Sequence, residues 1–390
     1  MSDRVFQTMW AYLWDLVDDG IEGSVDRLKN DIGLDGISVA TAYHTYQQLR
    51  PRKSGNGKLL IAPEAAVYFQ PDASLFADTA IKPHVAPMVG AGNPLAQLAN
   101  ACSAADLKLI SWTVCFHTTQ LATAYPQFAQ QTAYGDNLGW VLCLGCDDVR
   151  AYIIALCRDL SVNYGVSRLE LETCNFGGFG HSHHHVKQAL ELGNLGNYLM
   201  SLSFSDGCVE KARNRGIDID GLRRWVIETL DSVFATGRPL EGDISEFVAA
   251  RPDLTAFQAL REELVTSLAG EISDASGDAE VSFLLMGDRW TAGIVTDRLR
   301  DRVDLLEVLA YVADPAKVAG TIDAAKAAGA DVERMLVGLT PYGDGMDADL
   351  LTSLVRQILA SGVSQVSYYN YGMLPEPNLE WVKSCIKATS

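Results

Sequence analysis

Eight short apolar runs that alternate with helical stretches predict an α/β protein, and more specifically a (β/α)8 TIM barrel. The runs have strand length and are rich in β-branched and aromatic residues. In chain order they are AYLWDLV from Ala11, GISVATAYH from Gly36, LKLISWTVCFH from Leu107, SRLELET from Ser167, EVSFLLMG from Glu280, DLLEVLAYV from Asp304, RMLVGLT from Arg334 and VSQVSYYNYG from Val363. The alternative is an open Rossmann-like sheet, but no GxGxxG turn follows the first run.

Helical periodicity fills several of the intervals between these strands. The clearest segments are SVDRLKNDIG, NPLAQLANACSAADL, DDVRAYIIALCRDLSVNYG with Asp147 as a possible N-cap, and DPAKVAGTIDAAKAAGAD with Pro315 near its start. Strands that are separated by helices pair in parallel, which is the arrangement that a closed barrel needs.

Two intervals are longer than ordinary connections. Residues 47–93 follow the second strand, and residues 175–277 follow the fourth and contain the helical patterns DGLRRWVIETLDSVF and LTAFQALREELVTSLAGEI. Loops of this length in a compact domain are usually functional. We therefore predict a single domain over residues 1–390 with both insertions on the C-terminal face of the barrel, where barrel active sites lie.

Charge and composition exclude several classes of partner. The 390-residue chain has a formal net charge of -18, which disfavours nucleic acid. No uninterrupted apolar stretch has membrane-spanning length and the N-terminus lacks signal-peptide order, so we predict a cytoplasmic protein without a membrane partner. The eight cysteines are scattered, and the pair Cys143 and Cys146 is more typical of buried thiols than of a zinc or redox site. A homodimer is the base-rate expectation for assembly.

Strand alternation predicts which side chains face the barrel interior. On the third strand His117 faces inward at the top. On the fourth strand Arg168, Glu170 and Glu172 face inward, and Glu172 ends the strand before a glycine-rich turn. Glu170 has a structural interpretation, an ion pair with Arg168, that is as good as a functional one. Glu172 is the stronger candidate for catalysis.

Other polar side chains are also expected at the strand tops. They are Tyr43 and His44 on the second strand, Asp288 with Ser282 on the fifth, and Glu307 with Tyr311 on the sixth. On the first strand Asp15 and Asp18 have opposite parity, and we favour Asp15 as the one that faces inward.

Four histidines follow the fourth strand: His181, His183, His184 and His185. His181 and His185 have the i, i+4 spacing of helical metal ligands, but the acid of an HExxH motif is missing. We predict no bound metal or other cofactor and assign His184 to substrate binding. A site for manganese, magnesium or zinc is the alternative.

Aromatic residues collect near the predicted strand ends. They are Trp14, Tyr43, Tyr46, Trp112, Tyr311, Tyr342, Tyr369 and Tyr371. Aromatic residues in strands are usually core, but those beyond the ends, Tyr371 among them, could pack against the C–H face of a sugar. Carboxylates, histidines and aromatic rings without a basic cluster suit a neutral, polyhydroxylated ligand.

The segments WDLVDDG, YHTYQQLRP, LKLISWTVCFHTT, LCLGCDDVRAYIIALCRDL and LELETCNFGGFGHSHHHVK resemble poorly characterised bacterial barrel proteins grouped as glycoside-hydrolase-like. The resemblance covers roughly the first half of the chain. It implies a barrel that acts on carbohydrate, with a site formed by Asp15, Tyr43, His44, His117, Glu172 and the histidines around His184. In the large retaining glycosidase clan with this fold, the acid/base ends the fourth strand, where Glu172 lies. The nucleophile of that clan ends the seventh, where RMLVGLTPYGDG has no carboxylate before Asp344.

Three functions remain open from the sequence. The first is glycosidic bond cleavage with Glu172 as general acid and Asp15 or Asp288 as the second carboxylate, which would be about 5 to 5.5 Å away for retention and about 6.5 to 9.5 Å away for inversion. The second is a metal-dependent sugar isomerase, epimerase or lyase that uses Glu172, Asp288, His117 and a clustered histidine. The third is a sugar-binding barrel without catalysis.

Overall fold

Eight parallel strands form a closed barrel in the computed structural model, which describes residues 5–62, 64–90, 92–180 and 187–389. The strands are β1 Phe6–Tyr12, β2 Gly36–Tyr43, β3 Lys108–Val114, β4 Arg168–Glu172, β5 Glu280–Leu284, β6 Leu305–Leu309, β7 Met335–Leu339 and β8 Gln365–Tyr368. Each strand pairs with the next in chain order, and β8 pairs with β1 to close the ring. The predicted TIM barrel is confirmed, and the open Rossmann-like sheet is wrong.

Helices occupy most of the connections between the strands. They are α1 Leu13–Asp19, α2 Ile21–Asp26, α3 Pro94–Ala104, α4 Thr119–Ala124, α5 Asp147–Tyr164, α6 Gly193–Ser201, α7 Asp206–Asn214, α8 Ile219–Thr236, α9 Ile244–Ala249, α10 Pro252–Ala275, α11 Thr296–Leu299, α12 Pro315–Ala327, α13 Ala348–Ala360 and α14 Glu376–Thr389. Asp147 is the first residue of α5 rather than its N-cap, which is Cys146. None of the described helices is long and apolar enough to cross a membrane, and a cytoplasmic location stays a prediction.

The first strand lies earlier than the sequence pattern predicted. The run from Ala11 was expected to be a strand, but β1 ends at Tyr12 and LWDLVDD forms α1. In this helix Leu13, Trp14 and Leu16 are buried while the last residues are exposed, so a short amphipathic helix explains the same letters. Asp15 therefore lies in a helix above the barrel and not in its wall.

The long connections after β2 and β4 have their own structure. After β2, strands Tyr46–Leu49 and Leu59–Ala62 form an antiparallel hairpin, and the two-residue strand Ala66–Val67 pairs with the upper end of β2. After β4, the connection contains α6 to α10, and α10 packs on α5 through a bond from Arg150 to the carbonyl of Leu264. The assignment of the whole chain to one domain stays a prediction.

The indole of Trp10 on β1 fills space in the barrel interior that a glycine on β7, Gly338, leaves open. A Cβ at Gly338 on β7 would come within 2.7 Å of the indole of Trp10 on β1. Below this level the even-numbered strands contribute small and acidic side chains that are fully buried: Ser38, Glu170, Glu307 and Ser367. The interior is thus a packed core with a polar layer, as layered barrel interiors allow.

Candidate active site

Glu172 ends β4 and is 8% exposed. The indole N–H of Trp112 on β3 donates to its Oε2 at 2.5 Å. Burial raises the pKa of Glu172 to about 7, since the charged form loses hydration; the charge of Glu170 also raises it, and the Trp112 bond opposes both. A carboxyl group that keeps its proton near neutral pH can act as a general acid.

Glu172 faces a cavity of about 110 Å³ at the mouth of the barrel. The lining side chains come from the upper halves or ends of seven strands: Trp10, Tyr43, Trp112, Glu172, Leu284, Met286, Leu309, Tyr311 and Tyr369. Five of them are aromatic, and Glu172 is the one carboxyl group among the described residues that line the cavity. Such a cavity suits an uncharged ligand with flat C–H faces.

Two more carboxyl groups lie in the barrel beneath Glu172. Glu170 accepts hydrogen bonds from the indole of Trp10, at 2.9 Å, and from Ser38. Glu307 accepts one from Ser282. Burial raises the pKa of Glu170 to about 7, and burial together with the charge of Glu170 raises the pKa of Glu307 well above its ordinary value. These carboxyl groups therefore favour their protonated forms.

The ion pair that the sequence suggested for Glu170 is made elsewhere. The guanidinium of Arg168 contacts Glu280 at 2.9 Å and donates to Gln365 at 2.8 Å. One oxygen of Glu170 and one of Glu307 have no hydrogen-bond partner among the residues that the structure describes. Glu170 thus belongs to the polar layer of the barrel and supports Glu172 electrostatically.

Tyrosine hydroxyl groups form a network on one side of the cavity. Tyr12 OH lies 2.7 Å from Tyr369 OH and 3.1 Å from Tyr43 OH. Tyr43 lines the cavity, and its predicted role in substrate binding stays a prediction. Tyr369 was noted only as one of several aromatic residues, although its position directly after β8 marks it. Trp10 was missed because it precedes the predicted start of the first strand.

Asp15 holds the hairpin that follows β2 and does not line the cavity. Its Oδ2 accepts from Gln48 at 2.7 Å, and its Oδ1 lies 3.6 Å from the guanidinium of Arg50. Burial raises the pKa of Asp15 to about 6, against the effects of Gln48 and Arg50. The structure does not bring Asp15 together with Glu172, and its catalytic role stays a prediction.

The two predicted histidines within the described residues lie beside Tyr43. The ring of His44 stacks on Tyr43 with centroids 4.3 Å apart and on His117 at 4.7 Å. Nδ1 of His44 lies 2.6 Å from the carbonyl oxygen of Thr45. His117 is buried and lines the space next to the cavity. The structure therefore gathers Tyr43, His44 and His117 into one cluster at the rim.

Asp288 and Tyr371 lie away from the Glu172 cavity. The prediction that Asp288 faces inward on the fifth strand is wrong because β5 ends at Leu284; the exposed carboxylate accepts from the backbone N–H groups of Trp290 and Thr291 and caps a turn. Tyr371 is buried, and its hydroxyl donates to Asp19 at 3.0 Å. His184 and its neighbours His181, His183 and His185 lie outside the described residues.

No group of three or more His, Cys, Asp or Glu side chains within residues 5–62, 64–90, 92–180 and 187–389 is arranged to hold a metal ion. The histidine cluster after β4 falls outside these ranges, so the expected absence of a cofactor stays a prediction.

The sequence matches no family model, and no curated protein matches it either. Among solved structures, a β-galactosidase from the psychrophilic Marinomonas ef1 is similar with a TM-score of 0.60 and 11% identity; the match covers 98% of this chain and 59% of the enzyme. α-L-Fucosidase isoenzyme 2 from Paenibacillus thiaminolyticus has a TM-score of 0.59 and 10% identity, with 98% of this chain and 49% of the enzyme covered.

The C-terminal domain of a putative chitinase from Desulfitobacterium hafniense DCB-2 has a TM-score of 0.51 and 11% identity, over 99% of this chain and all of that domain. The chain has the barrel fold of these proteins. This likeness confirms, for the fold, the expected resemblance to glycoside-hydrolase barrels. The chain spans about half to three fifths of the galactosidase and the fucosidase, so their activities enter below only as proposals.

Proposed function

We propose that the chain is a glycoside hydrolase in which Glu172 is the general acid. The observation that carries the proposal is a buried carboxyl group, with a pKa of about 7, that ends β4 and faces an aromatic cavity on the barrel axis. Glu172 would give its proton to the glycosidic oxygen as the C–O bond breaks. The names of the structural neighbours, a β-galactosidase, a fucosidase and a putative chitinase, support the same reaction class.

The attacking group is a separate question, because Glu172 is the one carboxyl group among the described residues that line the cavity. Asp15 is bound to Gln48 and Arg50, and β7 carries Gly338 where the interior is filled by Trp10. Some glycosidases use a substituent of the substrate itself as the nucleophile and so need no second carboxylate. Attack by a 2-acetamido group of the substrate therefore fits this site better than attack by an enzyme carboxylate in a double displacement.

The test is a panel of aryl glycosides that includes a β-galactoside, an α-L-fucoside and a 2-acetamido-2-deoxy-β-glucoside. We expect hydrolysis of at least one and a loss of roughly 10²- to 10⁴-fold in kcat/KM on Glu172→Gln, the usual contribution of a general acid. The loss should be smaller for a 2,4-dinitrophenyl leaving group, which needs little protonation. Glu280→Gln is the matched control, since Glu280 is exposed and pairs with Arg168 at the bottom of the barrel.

Two results would contradict the proposal. Full activity of Glu172→Gln would remove Glu172 from the reaction. Measurable sugar binding with no turnover of any glycoside would favour the sugar-binding barrel instead. Elemental analysis of the purified protein distinguishes the hydrolase from the metal-dependent isomerase, epimerase or lyase. That alternative requires about one metal ion per chain and loss of activity on chelation.

A further inference from the structure

A groove of about 330 Å³ adjoins the Glu172 cavity at the C-terminal ends of β3, β4 and β5. The two spaces share Met286, and the groove continues past His117, Trp140, Asn175 and Phe176. Its volume reaches the lower end of the range of small-molecule sites, about 300 to 1,000 Å³, whereas the Glu172 cavity is smaller. A ligand that extends out of the cavity at this side would enter the groove.

Three polar atoms in the groove side chains have no hydrogen-bond partner in the part of the chain that the structure describes: Trp140 Nε1, Thr173 Oγ1 and Asn175 Oδ1. Asn175 is 6% exposed. More than nine in ten buried polar groups in proteins are paired, so three orphans in one groove require a partner. The indole can only donate, the amide oxygen can only accept, and the threonine hydroxyl can do either. All three atoms are buried just beneath the groove surface, where hydroxyl groups of a ligand would pair with them after a small rotation of the side chains that carry them.

The charge of the lining narrows the ligand further. No Lys, Arg, Asp or Glu is found among the described residues that line the groove, and most of its surface is apolar. A carboxylate or phosphate on the ligand would lose its hydration here without gaining a cationic partner. The groove therefore fits a neutral group that combines hydroxyls with a flat C–H face for the ring of Trp140.

The walls of the groove are held rigidly by buried side chains behind them. Gln130 donates to the carbonyl of Gly177 at 2.8 Å and accepts from its N–H at 3.0 Å. Arg261 on α10 donates to the carbonyls of Trp290 and Thr291, both at 2.6 Å, and its guanidinium lies 4.6 Å from the centroid of the Phe176 ring. A preorganised wall lowers the entropy cost of ligand binding.

We propose that this groove binds the leaving-group sugar, and that the substrate is an uncharged oligosaccharide of at least two residues. The inference rests on the proposed function. The sugar in the cavity and the sugar in the groove would place their shared glycosidic oxygen next to Glu172. When the C–O bond breaks, its electron pair stays on that oxygen, which takes the proton of Glu172, and the neutral alcohol leaves through the groove. Water then forms the new C–O bond at the anomeric carbon of the remaining sugar, and the proton that it loses returns to the carboxylate of Glu172.

The test compares wild type with Trp140→Ala and Asn175→Leu on two substrates that share one glycone: a neutral disaccharide and the corresponding glycosyl fluoride. Fluoride is too small to occupy the groove. We expect each variant to lower kcat/KM for the disaccharide at least tenfold more than for the fluoride. Trp381→Phe on α14 is the matched aromatic control and should leave the ratio unchanged. Equal losses on both substrates would overturn the assignment of the groove while leaving the hydrolase function intact.

Measuring the affinity for disaccharides tests the groove even if no glycoside is hydrolysed. Glu172→Gln protein is titrated by calorimetry with N,N′-diacetylchitobiose, with lactose, with the methyl glycosides of their non-reducing sugars and with a uronic-acid disaccharide. We expect one neutral disaccharide to bind at least tenfold more tightly than its methyl monosaccharide, with that advantage lost on Trp140→Ala. An advantage that survives Trp140→Ala, or tighter binding of the uronic-acid disaccharide, would contradict the proposal.

Discussion

Trp112 and Trp10 donate hydrogen bonds to two neighbouring carboxyl groups, and removing either indole should shift the pKa of Glu172 in opposite directions. Trp112 donates to Glu172, and Trp10 donates to Glu170. Trp112→Phe removes a donor that favours the carboxylate of Glu172, so the pKa of Glu172 should rise above about 7. Trp10→Phe instead keeps Glu170 protonated to higher pH. Because the charge of Glu170 raises the pKa of Glu172, its loss should lower that pKa.

The size of the first shift follows from the strength of the bond. A hydrogen bond to a charged group contributes about 1.5–3 kcal/mol. One pKa unit corresponds to about 1.4 kcal/mol, so Trp112→Phe should raise the pKa of Glu172 by roughly 1–2 units. The effect of Trp10→Phe should be smaller, since it acts only through the fraction of Glu170 that is charged.

Carbon-13 NMR of protein labelled at the glutamate side-chain carboxyl measures these pKa values without any substrate, and Glu172→Gln assigns the signal. With a hydrolysed glycoside, the basic limb of kcat/KM against pH should move upward in Trp112→Phe and downward in Trp10→Phe. Trp381→Phe controls for the loss of an indole elsewhere. A shift of the same sign in both variants would refute the assigned hydrogen bonds.

Three further predictions concern stability and thiol chemistry. Between pH 4.5 and 7 the folded protein keeps a proton on Glu172 that the unfolded chain has lost, so stability falls as pH rises through this window. Glu172→Gln should therefore raise the free energy of unfolding at pH 8 by up to about 3 kcal/mol and change it little at pH 4. Urea denaturation at the two pH values measures both effects. Gly338→Ala should destabilise the barrel by about 1–3 kcal/mol and shift tryptophan fluorescence, because the new Cβ would displace Trp10; an unchanged melting curve would contradict this packing. All eight cysteines are free and buried, so Ellman's reagent should find no fast-reacting thiol in the native protein and eight after denaturation, and fewer than eight would reveal a disulfide.

Some features of the site could be predicted from local pattern. The alternation in SRLELET places Glu172 inward near the end of its strand, so this candidate could be found from seven letters. The same reasoning failed for AYLWDLV, because a short apolar run is compatible with a strand and with an amphipathic helix. That ambiguity misplaced Asp15 and hid Trp10.

The sequence by itself determined the barrel and the inward position of Glu172, since both depend on periodicities of two and of three to four residues within single elements. Only the tertiary structure decided which side chains and backbone groups these polar residues contact. The carboxylate of Asp288 caps a turn instead of facing inward, Asp15 lies beside Arg50, and Tyr371 donates to Asp19. Some of these contacts join residues that are separated by loops, and others lie within a single loop. The conformation of a loop does not follow from a periodic sequence pattern. Which strand registers and loop paths bring distant side chains together is set by the packing of the whole barrel.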